Sequence, residues 1–380
     1  MKQIYLDHAA TTPMDPAVID EMTDSLKNLY GNPSSIHSFG RKARQALDKV
    51  RRTTAKVIGA DEKEVTFTSG GTEANNLALI GTAFRNKSKG NHIITTKIEH
   101  HAVLHAAEYL EKNGFRVTYL DVDKDGMLDV EKLKASLTQE TILVSVMMVN
   151  NETGVFQPIS EIGQLIKDHQ AYFHTDAVQA LGLTNIHVDN LSVDLLTVSS
   201  HKINGPKGLG VLYVKKGTKL DSRQHGGEQE RKRRPGTENV AGIIGFGKAL
   251  EIAEEKKQVR KETYLSFKEL FLKILDKNEI SYYINGSKNN TIEHIINLSF
   301  PGTNVESLLT NFDLEGIAAS SGSACSAGSV EPSHVLVSMY GSENSRIINS
   351  IRFSFGLAND LSQVELAANK IAKIVKRLTK

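Results

Sequence analysis

The chain has 380 residues, 39% of them hydrophobic and 24% charged, with a formal net charge of +2, the composition of an ordinary globule long enough for two domains. Its one cysteine, Cys325, excludes an intramolecular disulfide and a thiolate cage around a metal, and no apolar stretch approaches the length of a membrane span. The near-balanced charge gives no reason to expect direct nucleic-acid binding, and the start Met1-Lys2-Gln3-Ile4-Tyr5 has no apolar leader run, so a cytoplasmic protein is expected, in which a free thiol stays reduced.

In chain order, strands and helices alternate. Residues 65–68 read as a strand that runs into Ser69-Gly70-Gly71-Thr72-Glu73-Ala74-Asn75-Asn76, which opens a helix. Glycines let the backbone approach an anion, and the free N–H groups and dipole at a helix start favour negative charge. This turn fits neither the Walker lysine loop nor the GxGxxG dinucleotide turn. Strands follow at 92–96, 117–122, 142–149, 171–175, 195–199 and 210–214, separated by helical stretches such as 102–112, 130–137 and 159–169. Such alternation predicts parallel crossovers and a sheet covered on both faces, with ligands gathering beyond the strand carboxyl ends. A charged helical stretch at 245–275 leads into a smaller C-terminal region, and no internal repeat is visible.

Two strand ends carry chemistry. The strand at 171–175 ends in the carboxylate Asp176, and the one at 195–199 breaks at Ser200-His201-Lys202 into a Gly/Pro-rich turn. Desolvation lowers the pKa of such a lysine, and a neutral amine forms Schiff bases. An amine for the aldehyde and a charged partner for the pyridinium nitrogen are the two anchors that pyridoxal phosphate needs. The glycine turn at Gly70-Gly71-Thr72 supplies a third, for phosphate.

Cys325 lies in the run Ala318-Ala319-Ser320-Ser321-Gly322-Ser323-Ala324-Cys325-Ser326-Ala327-Gly328, which has no periodic apolar face and reads as a loop displaying a reactive thiol. Three other features carry less. Asp121-Val122-Asp123-Lys124-Asp125-Gly126 copies the opening of a calcium loop but has Lys132 where a bidentate glutamate is required. His101 and His105 share a helix face but lack the other members of a zinc motif, so no metal is expected. The basic run Arg231-Lys232-Arg233-Arg234 could face a phosphate or a polyanionic partner, with Lys232 read as solvated.

The chain resembles, nearly end to end, the class V aminotransferase group of pyridoxal phosphate enzymes and, within it, the cysteine desulfurases of the NifS/IscS type. The resemblance is carried by Tyr5-Leu6-Asp7-His8-Ala9-Ala10-Thr11-Thr12-Pro13, Gly31-Asn32-Pro33-Ser34-Ser35, Thr68-Ser69-Gly70-Gly71-Thr72-Glu73 and Glu99-His100-His101-Ala102-Val103-Leu104. It continues through Val149-Asn150-Asn151-Glu152-Thr153-Gly154, His201-Lys202, Gly205-Pro206-Lys207-Gly208, Ser323-Ala324-Cys325, Glu331-Pro332-Ser333-His334-Val335-Leu336 and Ile351-Arg352-Phe353-Ser354. Departures are small, such as Ser200 where a glycine is usual.

The resemblance implies an α/β protein of fold-type I. A mainly parallel large domain at 13–255 would bind the cofactor, and a smaller α+β domain, from 1–12 and 256–380, would carry the Cys325 loop. It implies that Lys202 holds pyridoxal 5'-phosphate and moves the substrate Cα proton, and that Asp176 keeps the ring nitrogen protonated. Gln179 and Asn151 would bond the ring hydroxyl, and His100 would stack on the ring and act as acid and base. Gly71, Thr72, Ser199 and His201 would bind the phosphate, with Thr237 reaching it from the second subunit of a homodimer. Arg352, assisted by Asn32, would pair with the substrate carboxylate in a bidentate geometry that lysine cannot match. The implied reaction is L-cysteine to L-alanine with the sulfur taken by Cys325 as a persulfide. The sulfur would pass to an acceptor protein in iron–sulfur cluster assembly or tRNA thiolation. The alternatives are a selenocysteine lyase or aminotransferase of the same fold, or a sulfur-relay scaffold without turnover.

Overall fold

The structure, a computed structural model, describes residues 3–322 and 332–379. Among these, twelve strands form three sheets. They are β1 (Ile4–Tyr5), β2 (Val65–Thr68), β3 (His92–Thr96), β4 (Arg116–Leu120), β5 (Thr141–Ser145) and β6 (Tyr172–Asp176), followed by β7 (Leu195–Ser199), β8 (Gly210–Val214), β9 (Tyr283–Ile284), β10 (Ile295–Ser299), β11 (Ile317–Ala318) and β12 (Ser350–Ser354).

The largest sheet has seven strands in the order β2-β8-β7-β6-β5-β3-β4. Pairings from β7 through β4 are parallel, whereas β8 runs antiparallel to both β7 and β2. The exception has a local cause: β7 and β8 are separated by the turn through Gly205-Pro206-Lys207-Gly208, too short for a helical crossover. Because β8 reverses, β2 points the same way as β7, and the glycine turn after β2 reaches the same edge as Lys202. Strands β2, β3, β5, β7 and β8 are buried at every position, as a sheet covered on both faces requires. Polar residues inside it pair across strands. His174 accepts or donates to Ser145 Oγ at 2.8 Å and Thr197 Oγ1 at 3.1 Å, and burial pushes its pKa down to about 3, so it is a neutral structural link.

The helical stretch read at 245–275 is two helices, Val240–Glu255 and Lys257–Lys277, which meet at Lys256. They pack differently. The first lies against Pro16–Asn28 and Ser38–Ile58, and is apolar almost all round; a Cβ on its Gly247 would come within 2.7 Å of Val50. The second buries only a stripe, through Tyr264, Phe267, Phe271 and Ile274, and packs on Leu361–Leu378.

That stripe underlies the antiparallel sheet β12-β10-β9. On β12 the period of two sends Phe353 into an aromatic cluster, with ring centroids 5.0 Å from Phe271 and 6.0 Å from Phe312. Arg352, next along, points to the opposite face. The N-terminal segment completes this region: β1 pairs in parallel with β11, and Asp7 bridges to Ser354. Among the described residues, no helix is long and apolar enough to cross a membrane.

Candidate active site

A cavity of about 580 Å³ opens where the carboxyl ends of the large sheet face β12 and the N-terminal segment, a size suited to a cofactor with its substrate. Its sheet wall is made by residues at or just past strand ends. Asp176 closes β6, and its buried carboxylate is held by two donors: Asn75 Nδ2 to Oδ2 at 2.7 Å and Val178 N to Oδ1 at 2.9 Å. Ser199 closes β7, and the single helical turn Ser200–Lys202 then swings Lys202 into the cavity. Burial first, and the nearby Arg352 guanidinium second, bring the Lys202 amine down to about 7. At neutral pH a large fraction is therefore the free amine. In this state Lys202 Nζ donates to the main-chain oxygens of Ala9 and Ala10, the latter at 2.9 Å.

Gly71, Thr72, Ser199 and His201 converge at one end of the cavity, which continues into a surface groove lined also by Gly70 and Lys207. Gly70 has φ of 154°, a conformation that L side chains rarely adopt, and this lets the chain leave β2 and start the helix directly beneath the groove. His201 Nδ1 lies 3.1 Å from Thr11 Oγ1, and burial, then Lys202, lowers its pKa to about 4. It is a neutral hydrogen-bonding group.

The next wall follows β3. His100 caps the helix His101–Lys112, its Nδ1 accepting from Ala102 N at 3.1 Å. With Nδ1 accepting at the cap, Nε2 is the ring nitrogen left for other partners, and His100 lines the cavity. Burial keeps His100 below its ordinary pKa, and Lys202 adds to that against the opposing field of Asp176. Gln179 is fixed by donating Nε2 to Ala9 O at 2.9 Å.

Facing the sheet wall, Arg352 arrives from β12. Its Nη1 donates to Asn151 O at 2.9 Å and its Nη2 to Asp7 Oδ1 at 2.8 Å. Ten residues singled out by sequence therefore share one cavity: Gly71, Thr72, His100, Asn151, Asp176, Gln179, Ser199, His201, Lys202 and Arg352. Asn32 and Thr237 do not line it. Both are exposed, and Asn32 Oδ1 instead accepts from Ser34 N at 2.9 Å. The segment preceding Thr237 is tied to the glycine turn, since Arg234 Nε pairs with Glu73 at 2.8 Å. In the same basic run Lys232 is exposed and pairs with Glu228. Cys325 lies outside the described residues, although the neighbouring Ser321 and Gly322 line the cavity.

Several participants carried no role in the sequence reading. Asn75, inside the quoted helix start, holds Asp176. Glu99 is wholly buried behind His100, accepting from Thr96 Oγ1 at 2.7 Å and Met147 N at 2.9 Å, and burial raises its pKa to about 8. Glu152 lines the cavity, accepts from Ser333 Oγ and is raised by burial against the pull of that bond and of Arg352. Their only signal was position: each sits inside a quoted motif, Glu99 and Glu152 beside a residue that did receive a role and Asn75 three places after Thr72.

The Aminotransferase class-V family pattern matches residues 4–366, and the chain belongs to that family of pyridoxal phosphate enzymes. Within it the resemblance to NifS/IscS-type proteins holds along the whole length. The chain is 55% identical over 379 residues to the "Putative cysteine desulfurase IscS 1" of Bacillus subtilis (strain 168), covering 100% of both. It is 47% identical to the "Cysteine desulfurase IscS" of Dictyoglomus turgidum, covering 99% of this chain and 95% of that one. A solved "NIFS-LIKE PROTEIN" superposes with a TM-score of 0.92 at 34% identity, covering 99% of this chain and 100% of the other.

Proposed function

We infer that the protein is a cysteine desulfurase that releases L-alanine from L-cysteine and takes the sulfur onto Cys325. The observation that carries this is the convergence of Lys202, Asp176, His100 and Arg352 on one cavity, in a chain whose full-length relatives bear that name.

The residues present fit pyridoxal phosphate. The buried Asp176 carboxylate faces the cavity with one strong donor on each oxygen, and it offers a counter-charge to a protonated ring nitrogen. Hydroxyl, imidazole and main-chain N–H donors from Ser199, Thr72, His201 and Gly71 gather at one end, where a phosphate group would lie. Lys202, with a pKa of about 7, supplies the amine. The cofactor, once bound, provides an electron sink that makes the substrate Cβ–S bond labile.

The chain's own groups do the rest. Lys202 Nζ, released from Ala9 and Ala10, takes and returns the Cα proton. Asn151 and Gln179 would hold the ring by hydrogen bonds to its hydroxyl, Gln179 being itself fixed by its bond to Ala9 O. His100 Nε2 exchanges a proton with the substrate thiol, a task suited to an imidazole whose pKa is held below its ordinary value. Arg352 receives the substrate carboxylate. The Cys325 thiolate attacks the substrate sulfur: the Sγ–S bond forms, the S–Cβ bond breaks, and its electron pair stays with the carbon fragment, which is protonated to alanine. Cys325 is left as a persulfide: the transferred sulfur is oxidised to the sulfane level, and Cβ, which keeps the electron pair, is reduced by the same two electrons.

The active unit in this reading is a cytoplasmic homodimer in which Thr237 completes the phosphate end of the neighbouring subunit. The persulfide then passes to an acceptor protein of iron–sulfur cluster assembly or tRNA thiolation. The test is Cys325→Ala. It is expected to bind cofactor and L-cysteine as wild type does, yet to form alanine about 100-fold more slowly or less. Alanine and sulfide release near the wild-type rate would replace the persulfide route with a simple lyase reaction.

A further inference from the structure

Arg352 is a buried cation with two engaged nitrogens. Its side chain is 4% exposed, Nη1 is bonded to Asn151 O, and Nη2 is paired with Asp7 at 2.8 Å. Asp7, with a side chain 20% exposed, lines the cavity and is the more accessible of the two partners. A carboxylate entering the cavity meets Asp7 before it meets a free pair of N–H groups on Arg352. The same short segment also occupies the second cation of the site, because Ala9 O and Ala10 O accept from Lys202 Nζ.

We propose that Asp7 is an internal stand-in for the substrate carboxylate, exchanged for it when an α-amino acid binds. The inference rests on the reading of Arg352 as the carboxylate site and adds a built-in competitor to it. A guanidinium this deeply buried is costly to leave unpaired. Asp7 keeps it paired between turnovers, and the exchange of one carboxylate for another conserves the charge around Arg352. A ligand without a carboxylate gains nothing from Arg352, because it cannot replace the bond to Asp7. Asp7 is thus a positioning residue that weakens the binding of ligands whose carboxylate must displace it, and it leaves ligands without a carboxylate unaffected. Its placement needs no energy from the cavity itself: β1 is locked to β11, and the bridge to Ser354 sets Asp7 beside the residue two places after Arg352 on β12.

Two roles for Asp7 predict opposite signs. If Asp7 only orients Arg352, removing its charge weakens substrate binding. If it competes, removing its charge tightens binding. The experiment measures L-cysteine KM and kcat, and L-alanine binding by spectroscopic titration of the holoenzyme, in Asp7→Asn and Asp7→Ser. Cysteamine, which keeps the amine and thiol but lacks the carboxylate, serves as the control ligand. Both variants are expected to lower KM and the L-alanine Kd by about three- to tenfold, the loss of one charge-assisted competitor, with cysteamine affinity unmoved and kcat changed less than KM. Asp7→Glu should return KM toward the wild-type value. A raised KM in both soluble variants, or an equal change for cysteamine, overturns the proposal. Arg352→Gln separates it from the reading beneath it. If Arg352 binds the carboxylate, L-alanine affinity falls and Asp7→Asn no longer tightens binding in that background. If Arg352→Gln leaves L-alanine affinity intact, the carboxylate site itself is wrong.

Discussion

The sheet wall of the cavity takes Asp176, Ser199 and Lys202 from the ends of adjacent strands, whereas the opposite wall joins residues that are remote in sequence. Arg352 meets Asp7 across 345 positions and Asn151 across 201. On the sheet wall the backbone itself aims each group, because parallel strands deliver their ends to one edge. On the opposite wall the aim depends on a strand pairing of two residues, β1 with β11, and on the Phe353 cluster behind β12. In the proposed reading the difference matches a division of labour. Cofactor chemistry requires groups fixed within a fraction of an ångström, and a seven-stranded sheet supplies that. Substrate selection requires a group that exchanges partners, and a short N-terminal segment suits it.

The largest expected effect lies on the sheet wall. Lys202→Ala should reduce alanine formation by about 1,000-fold or more, since in the proposed reading Lys202 both anchors the cofactor and moves the Cα proton. In wild type, borohydride reduction followed by digestion should place the pyridoxyl group on Lys202; a label on Lys207 would show that the wrong lysine has been assigned. A smaller loss is expected from Asn75→Ala, which leaves Asp176 Oδ2 without its 2.7 Å donor. Cofactor affinity should fall about tenfold, in line with the roughly 1–3 kcal/mol attached to an unsatisfied buried group, with little change in L-cysteine KM once the enzyme is saturated. An Asn75→Ala enzyme with a changed KM and unchanged cofactor affinity would mean that the two walls are not separable in this way.

The smallest effect concerns stability. Glu99 has its pKa raised by burial from 4.5 to about 8. Between those values the folded chain keeps a proton that the unfolded chain has released. Glu99 therefore costs stability that grows as pH rises from about 4.5 to about 8 and is complete above it. Glu99→Gln keeps the shape and cannot ionise. Its melting temperature relative to wild type should climb across that window, as followed by thermal unfolding of the cofactor-free protein at pH 5 and pH 8.5. A constant difference at both pH values would show that Glu99 is ionised throughout.

The sequence was most legible where signals are local. Strands at 65–68, 92–96, 195–199 and 210–214 stand at the bounds read from periodicity, because short β-branched runs between glycine and proline turns have one plausible fate. The reversal of β8 was not read: alternation alone does not distinguish a crossover from a tight return when the intervening turn is glycine-rich. The break at Lys256 was also missed, since charged residues continue through it and only the change of packing partner separates the two helices.

Within the site, the anchors Lys202, Asp176 and the glycine turn were visible because each combines a special residue with a strand end. Burial was not. Nothing in the string Thr96-Lys97-Ile98-Glu99 shows that its carboxylate is sealed from water while Lys97 is not. The amino-acid order by itself determined the alternating architecture, the cofactor anchors and the isolation of the thiol at Cys325, all of which follow from local pattern and residue chemistry. Tertiary structure alone decided that Asp7 would meet Arg352, that Asn75 would hold Asp176, and that the Lys202 amine would sit near pKa 7. Those outcomes depend on which surfaces exclude water and which charges end as neighbours, and a linear sequence does not carry those distances.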